Sequence, residues 1–181
     1  MLEKLIAYHC GPALAGIKPG NLLSCQKDKL EDIGAEIKRL NGELNKKDIF
    51  LEVICECEKR VLLFVYRKKR LSEYLGRAEI KELLTSCGYC GCQSTKSYIS
   101  MLKKRMREEE FPHEIGAFLG YPAHDIYGFI NKENCILVGE WRVYKDAENA
   151  KKIFARFKNC RTAVLKRVLE GKTLAQIFCA A

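Results

Sequence analysis

The sequence predicts an α+β fold, in which a small, mainly antiparallel sheet packs against helices, with a helix-turn-helix-like pair and a long basic C-terminal helix. Three patterns carry that reading. Residues 28–45 have apolar positions at spacings of three and four, residues 49–66 hold two adjacent strand-like runs, and the chain after Asp146 returns to a helical stripe. With 181 residues the chain suits one domain, 1–181, long enough to bury a core without metal or disulfide support.

Leu2 to Tyr8 reads as a short opening helix or strand. His9, Cys10, Gly11 and Pro12, then Gly16, Pro19 and Gly20, predict an irregular loop, followed by a short strand near Asn21 to Cys25. From Asp28 to Asn45, Leu30, Ile33, Ile37, Leu40 and Leu44 share one helical stripe, with Asp28 or a polar neighbour as N-cap. In Ile49 to Cys57 the residues Leu51, Val53, Cys55 and Cys57 alternate with Glu52 and Glu56, as in a half-buried strand. Val61 to Tyr66 is apolar without alternation, which predicts a central strand covered on both faces and hairpinned to the one before.

Helices are expected at about Leu71 to Cys87 and Thr95 to Glu109. Between Glu110 and Ile130 the segment His113 to Leu119 repeats as His124 to Ile130, each copy following an aromatic-Pro pair. This predicts two short helices opened by Pro112 and Pro122, joined at Gly120-Tyr121 and packed by Ile115, Phe118, Ile126 and Phe129. Cys135 to Tyr144 alternates like a strand. From Asp146, Ala150, Ile153, Phe154, Phe157, Val164, Leu165 and Val168 mark one long helix, or two broken near Asn159, with lysines and arginines on the other face.

Composition narrows the function classes. No stretch approaches the roughly 18 apolar residues of a membrane helix, and the N-terminus lacks the pattern of a signal peptide, so a soluble, cytoplasmic protein without membrane partners is expected. Ten cysteines in a reducing compartment are expected to be mostly free and buried. The net charge of +9 suits an anionic partner, and equally a solvated lysine-rich face.

Cys87, Cys90 and Cys92 have a spacing that could bring thiolates to one metal, but no partner C-x-x-C exists, so a metal-binding role is an alternative and no metal ligand is assigned. His113-Glu114 begins like the zinc motif H-E-x-x-H, yet position 117 is alanine, and no phosphate-cradling glycine loop occurs. Cys10 beside His9, with His113 elsewhere in the chain, supplies the residue types of a thiol-base pair, although a buried cysteine is the commoner outcome. The helix pair 112–130 and the basic C-terminal helix make a nucleic-acid-binding regulator or adaptor a second alternative. Against it, the would-be reading helix carries His124, Asp125 and Tyr127 rather than Arg, Asn or Gln.

Three separated segments, HCGPALAGIKPGNL from His9, FPHEIGAFLGYP with Asp125, Gly128 and Phe129, and Trp141-Arg142-Val143-Tyr144, resemble the bacterial family catalogued as domain of unknown function 3793. Gly11 stands where the family pattern has alanine, and Val138-Gly139-Glu140 where it has Cys-Gly-Tyr. The resemblance points to no particular activity or cofactor. The matching polar residues, His9, Cys10, Lys18, Asn21, His113, Glu114, Asp125 and Trp141, fall outside the apolar stripes.

The expectation is therefore a pocket between the 9–21 loop and the helix start at 112, binding a small anionic or carbonyl-containing molecule. His9, Lys18, Asn21 and Trp141 would bind it, and Cys10, His113 and Glu114 would supply any thiol or acid-base chemistry. Enzyme and simple binder are both compatible with these residues.

Overall fold

The structure, a computed structural model, describes residues 1–30 and 32–179. Its centre is an antiparallel sheet of β1 (Gly20–Gln26), β2 (Ile49–Glu56) and β3 (Arg60–Arg67) in the order β1-β3-β2. The apolar run Val61 to Tyr66 forms the middle strand as predicted, because both of its faces are covered.

One face packs on α1 (Leu2–Leu14), α2 (Ile33–Leu44), α8 (Ala147–Leu169) and α9 (Leu174–Phe178), through Leu63 and Val65 against Leu2, Ile6, Leu40, Leu44 and Val164. The other face packs on α3 (Lys68–Leu75), α4 (Ala78–Ser86), α5 (Thr95–Arg105), α6 (Ile115–Phe118) and α7 (Ala123–Ile130), with Phe64 and Tyr66 against Leu71, Leu84, Leu102 and Phe118. A smaller cluster of Trp141, Val143, Ala150 and Phe157 joins α8 to the hairpin β4 (Leu137–Val138) and β5 (Arg142–Val143).

Several boundaries differ from the sequence expectation. His9 to Leu14 is helix, not loop: α1 runs through Pro12 to Leu14, with Ala15 as its C-cap and Gly16 beyond it at φ +75°. Proline removes one intrahelical bond, but the helix is held from outside, because Gly11 lets α8 approach so closely that a Cβ there would meet Arg161 Cα at 3.1 Å. The cap of α2 is Asp32, whose carboxylate accepts from Ala35 N at 2.9 Å, while Lys27–Lys29 forms a separate 3-10 turn. The helix expected over 71–87 breaks at Gly76 and Arg77 into α3 and α4, and Arg77 is extended.

α6 is a single turn that begins at Ile115 rather than at Pro112, and α7 follows Pro122. Ile115, Phe118 and Ile126 are buried, but Phe129 is 39% exposed and belongs to the surface of α7. The strand expected over 135–144 is instead the two-residue pair β4 and β5, because the chain folds back over Gly139 against the Phe154 ring. The C-terminal stripe forms one uninterrupted helix through Asn159.

Candidate functional site

The helix pair and the small hairpin enclose a cavity of about 310 Å³. Phe111, His113, Tyr121, Phe129 and Trp141 supply its aromatic walls, Ile115, Gly116 and Ile126 its aliphatic surface, and Asp125 and Arg142 its charges. The local sequence explains why the space exists. Gly120, at φ +74° against the ring of Pro19, turns the chain between α6 and α7, and Gly128 removes the side chain that would otherwise strike the Tyr144 ring. α7 can therefore lie close to β5 at one end while the aromatic side chains hold it away at the other.

Asp125 fixes the far wall. Its Oδ2 accepts from Trp141 Nε1 at 2.6 Å and its Oδ1 from Tyr144 N at 2.7 Å, so the buried carboxylate is committed to holding the hairpin. Trp141 stacks on Tyr121 with ring centroids 5.0 Å apart and meets the Phe154 ring edge-on at 4.6 Å. Tyr121 donates its hydroxyl to Glu140 O at 3.1 Å, and its own carbonyl accepts from Tyr74 at 2.7 Å.

At the mouth, His113 stands edge-on to Phe129 at 4.9 Å and 6.3 Å from Phe111. The Arg142 guanidinium lies 5.6 Å from the Phe129 ring centroid and makes no ion pair with a described residue. An apolar, planar space with an imidazole and an uncommitted guanidinium at its opening can hold a flat molecule and bond a negative or carbonyl oxygen at its edge.

Of the residues expected from the sequence to bind or react, His9, Cys10, Lys18, Asn21, His113, Glu114 and Trp141, only His113 and Trp141 line this cavity; no residue of the 9–21 segment does. Cys10 is wholly buried on the inner face of α1 beside Cys25, and burial pushes its thiol up to about 12, so it is protonated and inaccessible rather than poised as a nucleophile. His9 lies on α1 with its ring edge-on to Tyr8 at 4.7 Å, and partial burial together with Arg161 lowers its pKa.

Lys18 is buried behind the cavity wall. Its ammonium is 5.2 Å from the Tyr121 ring centre and 5.4 Å from that of Phe157, and burial lowers its pKa to about 8 against the opposing pull of Glu140. Asn21 is buried on β1, where its Oδ1 has no hydrogen-bond partner among the described residues. Glu114 lies inside the core side of α6, where it pairs with Arg105 and accepts from Tyr89 Oη at 3.2 Å. That is a structural ion pair. The amides of Ile115 and Gly116 just beyond the helix start are engaged within the chain, Ile115 N with Pro112 O at 3.1 Å and Gly116 N with His113 O at 3.3 Å.

Cys87, Cys90 and Cys92 sit in the α4–α5 connection. Cys87 and Cys92 turn towards the core, and the exposed Cys90 lies 3.6 Å from Thr85 O. Among the described residues no three His, Cys, Asp or Glu side chains converge as a metal set. No helix among them is long and apolar enough to cross a membrane.

Sequence reasoning did not assign Phe111, Tyr121, Asp125, Phe129 or Arg142 to the site. The repeated aromatic-Pro pairs were the available signal, because they place an aromatic residue just ahead of each turn that borders the cavity.

These features define an α+β protein with an aromatic-walled cavity between a helix pair and a β-hairpin. The chain belongs to the family described as Protein of unknown function (DUF3793), whose model matches residues 6–178. No curated protein and no solved structure matches it.

Proposed function

We propose that this protein binds a small molecule with a flat, apolar body and one anionic or carbonyl group in the cavity between α6, α7 and β5. The observation that carries this reading is the combination of five aromatic walls with Arg142, a cation without an ion-pair partner among the described residues, at the opening. The apolar body is sandwiched among Tyr121, Phe129 and Trp141, and the polar group reaches Arg142 and His113. His113 is the one imidazole that lines the cavity, placed where its ring nitrogens can hydrogen-bond a bound ligand. A nucleic-acid role is less well supported, since α7 presents Tyr127, Phe129 and Ile130 to solvent and contains no lysine or arginine.

Trp141 is the only tryptophan, so its emission reports on the cavity directly. Titration with benzoate- and indole-type carboxylates should give a saturable change in emission, with the matching neutral amides about tenfold weaker and the Arg142→Met protein losing that preference. If neither emission nor calorimetry detects saturable binding of any aromatic carboxylate, the reading fails.

A further inference from the structure

A second grouping of side chains lies on the β1-β3-β2 sheet, in a groove that shares Phe111 with the aromatic cavity. By simple alternation Cys55 and Cys57 share a face with Leu51 and Val53 and would turn towards α1 and α2. The pairing of β2 with β3 slips between Val53 and Cys55: Val53 lies opposite Leu63, Cys55 opposite Leu62, and Ile54 is the extra residue. Such a bulge reverses the facing of everything after it.

Leu62 and Ser24, paired across β3 and β1, look towards α5, and Cys55 now looks the same way. Cys57 N bonds Arg60 O at 2.9 Å at the end of the hairpin, which keeps Cys57 in register on that face. Cys55 and Cys57 accordingly line one open groove of about 720 Å³ together with Met106 from the residue that caps α5. Arg60, Lys103 and Arg107 stand around it.

Two thiols on one strand face are roughly 6.5–7 Å apart at their Cα atoms, at the edge of what an unstrained disulfide spans but short enough for both sulfurs to reach a single ion. Two thiols and a thioether form an all-sulfur donor set, which suits a soft monovalent ion and ill suits magnesium, calcium or manganese. We propose that Cys55, Cys57 and Met106 form a binding site for a soft d¹⁰ ion of the Cu(I) type, none of whose donors lines the aromatic cavity. Both thiols give up their protons on binding: Cu⁺ and two thiols yield a bis-thiolate copper complex of charge −1 and two H⁺. Arg60 and Arg107 at the groove offset that negative charge, while Lys103 is already paired with Glu52 at 2.7 Å. Met106, which lines the same groove from the end of α5, would be the third donor.

The test is anaerobic titration of the whole reduced protein with Cu(I) against a coloured Cu(I) chelator, alongside copper X-ray absorption. The clustered cysteines elsewhere in the chain are removed in a Cys87→Ser, Cys90→Ser, Cys92→Ser protein, which should still take up one ion per chain in competition with the chelator. Cys55→Ser and Cys57→Ser, each checked for native circular dichroism, should each lose that competition. Met106→Leu, which keeps volume and helix propensity, should keep the stoichiometry and weaken affinity about tenfold. The absorption spectrum should show sulfur neighbours only. Uptake unchanged in a folded Cys55→Ser, Cys57→Ser protein, or a copper shell of nitrogen and oxygen, would overturn the site.

Discussion

Trp141 donates its indole N–H to Asp125 Oδ2 at 2.6 Å, and this bond ties α7 to the β4–β5 hairpin across the wall of the aromatic cavity. Asp125 also accepts from Tyr144 N, so both of its oxygens are used by donors from the hairpin. Asparagine has one acceptor oxygen and would turn its NH₂ towards one of those donors. Asp125→Asn should therefore cost about 2–3 kcal/mol, measured as a lower urea midpoint with an unchanged slope and accompanied by altered Trp141 emission. An unchanged midpoint would mean that the hairpin is held by packing alone.

Lys18 makes stability depend on pH in an unusual direction. Burial lowers its ammonium from an ordinary 10.5 to about 8, so between those values the unfolded chain binds more protons than the folded one. The cost is fully present below pH about 8 and is relieved as pH rises towards 10.5. Cys10 acts oppositely above 9, because its thiol is raised from 9.0 to about 12. Comparing wild type with Lys18→Met isolates the lysine: relative to the variant, wild type should gain about 3 kcal/mol across that window. A difference that stays flat from pH 8 to 10.5 would show that the ammonium keeps its charge in the fold.

Cys10 should be unreactive in the native protein. Its side chain is fully buried and its thiol is held protonated, so a maleimide at neutral pH should label it only after denaturant is added, as peptide mass mapping would read. Native-state labelling at the rate of the exposed Cys57 or Cys90 would restore the nucleophile reading.

Glu114 should matter for stability and not for ligand affinity. Glu114→Gln removes the charge that faces Arg105 and weakens the bond from Tyr89, at a cost of about 2 kcal/mol in a denaturation experiment. Because Glu114 does not line the cavity, affinity for an aromatic carboxylate should stay within about twofold of wild type. A large affinity loss at unchanged stability would place Glu114 in the binding machinery instead.

The sequence by itself determined the α+β class, the central position of Val61 to Tyr66, the β2–β3 hairpin, the amphipathic stripe of α2 and the long basic helix α8. Each of these is a periodic signal, and periodicity follows directly from the geometry of helix and strand. It also gave the stretch around His113 its weight, through two aromatic-Pro pairs that do border the cavity. What depended on other parts of the chain was not legible. His9 and Cys10 read as loop residues because Gly11 and Pro12 are poor helix formers, yet α8 packs close enough to sustain the helix through them. Cys55 and Cys57 alternate with one face and, after a single-residue slip against β3, look towards the other. Lys18 is separated from the cavity by the Tyr121 ring, and Arg142 reaches its opening only because the hairpin folds back over Gly139. Local pattern fixes which residues can share a face. Which face meets which neighbour is decided by long-range packing, and the site is made of those meetings.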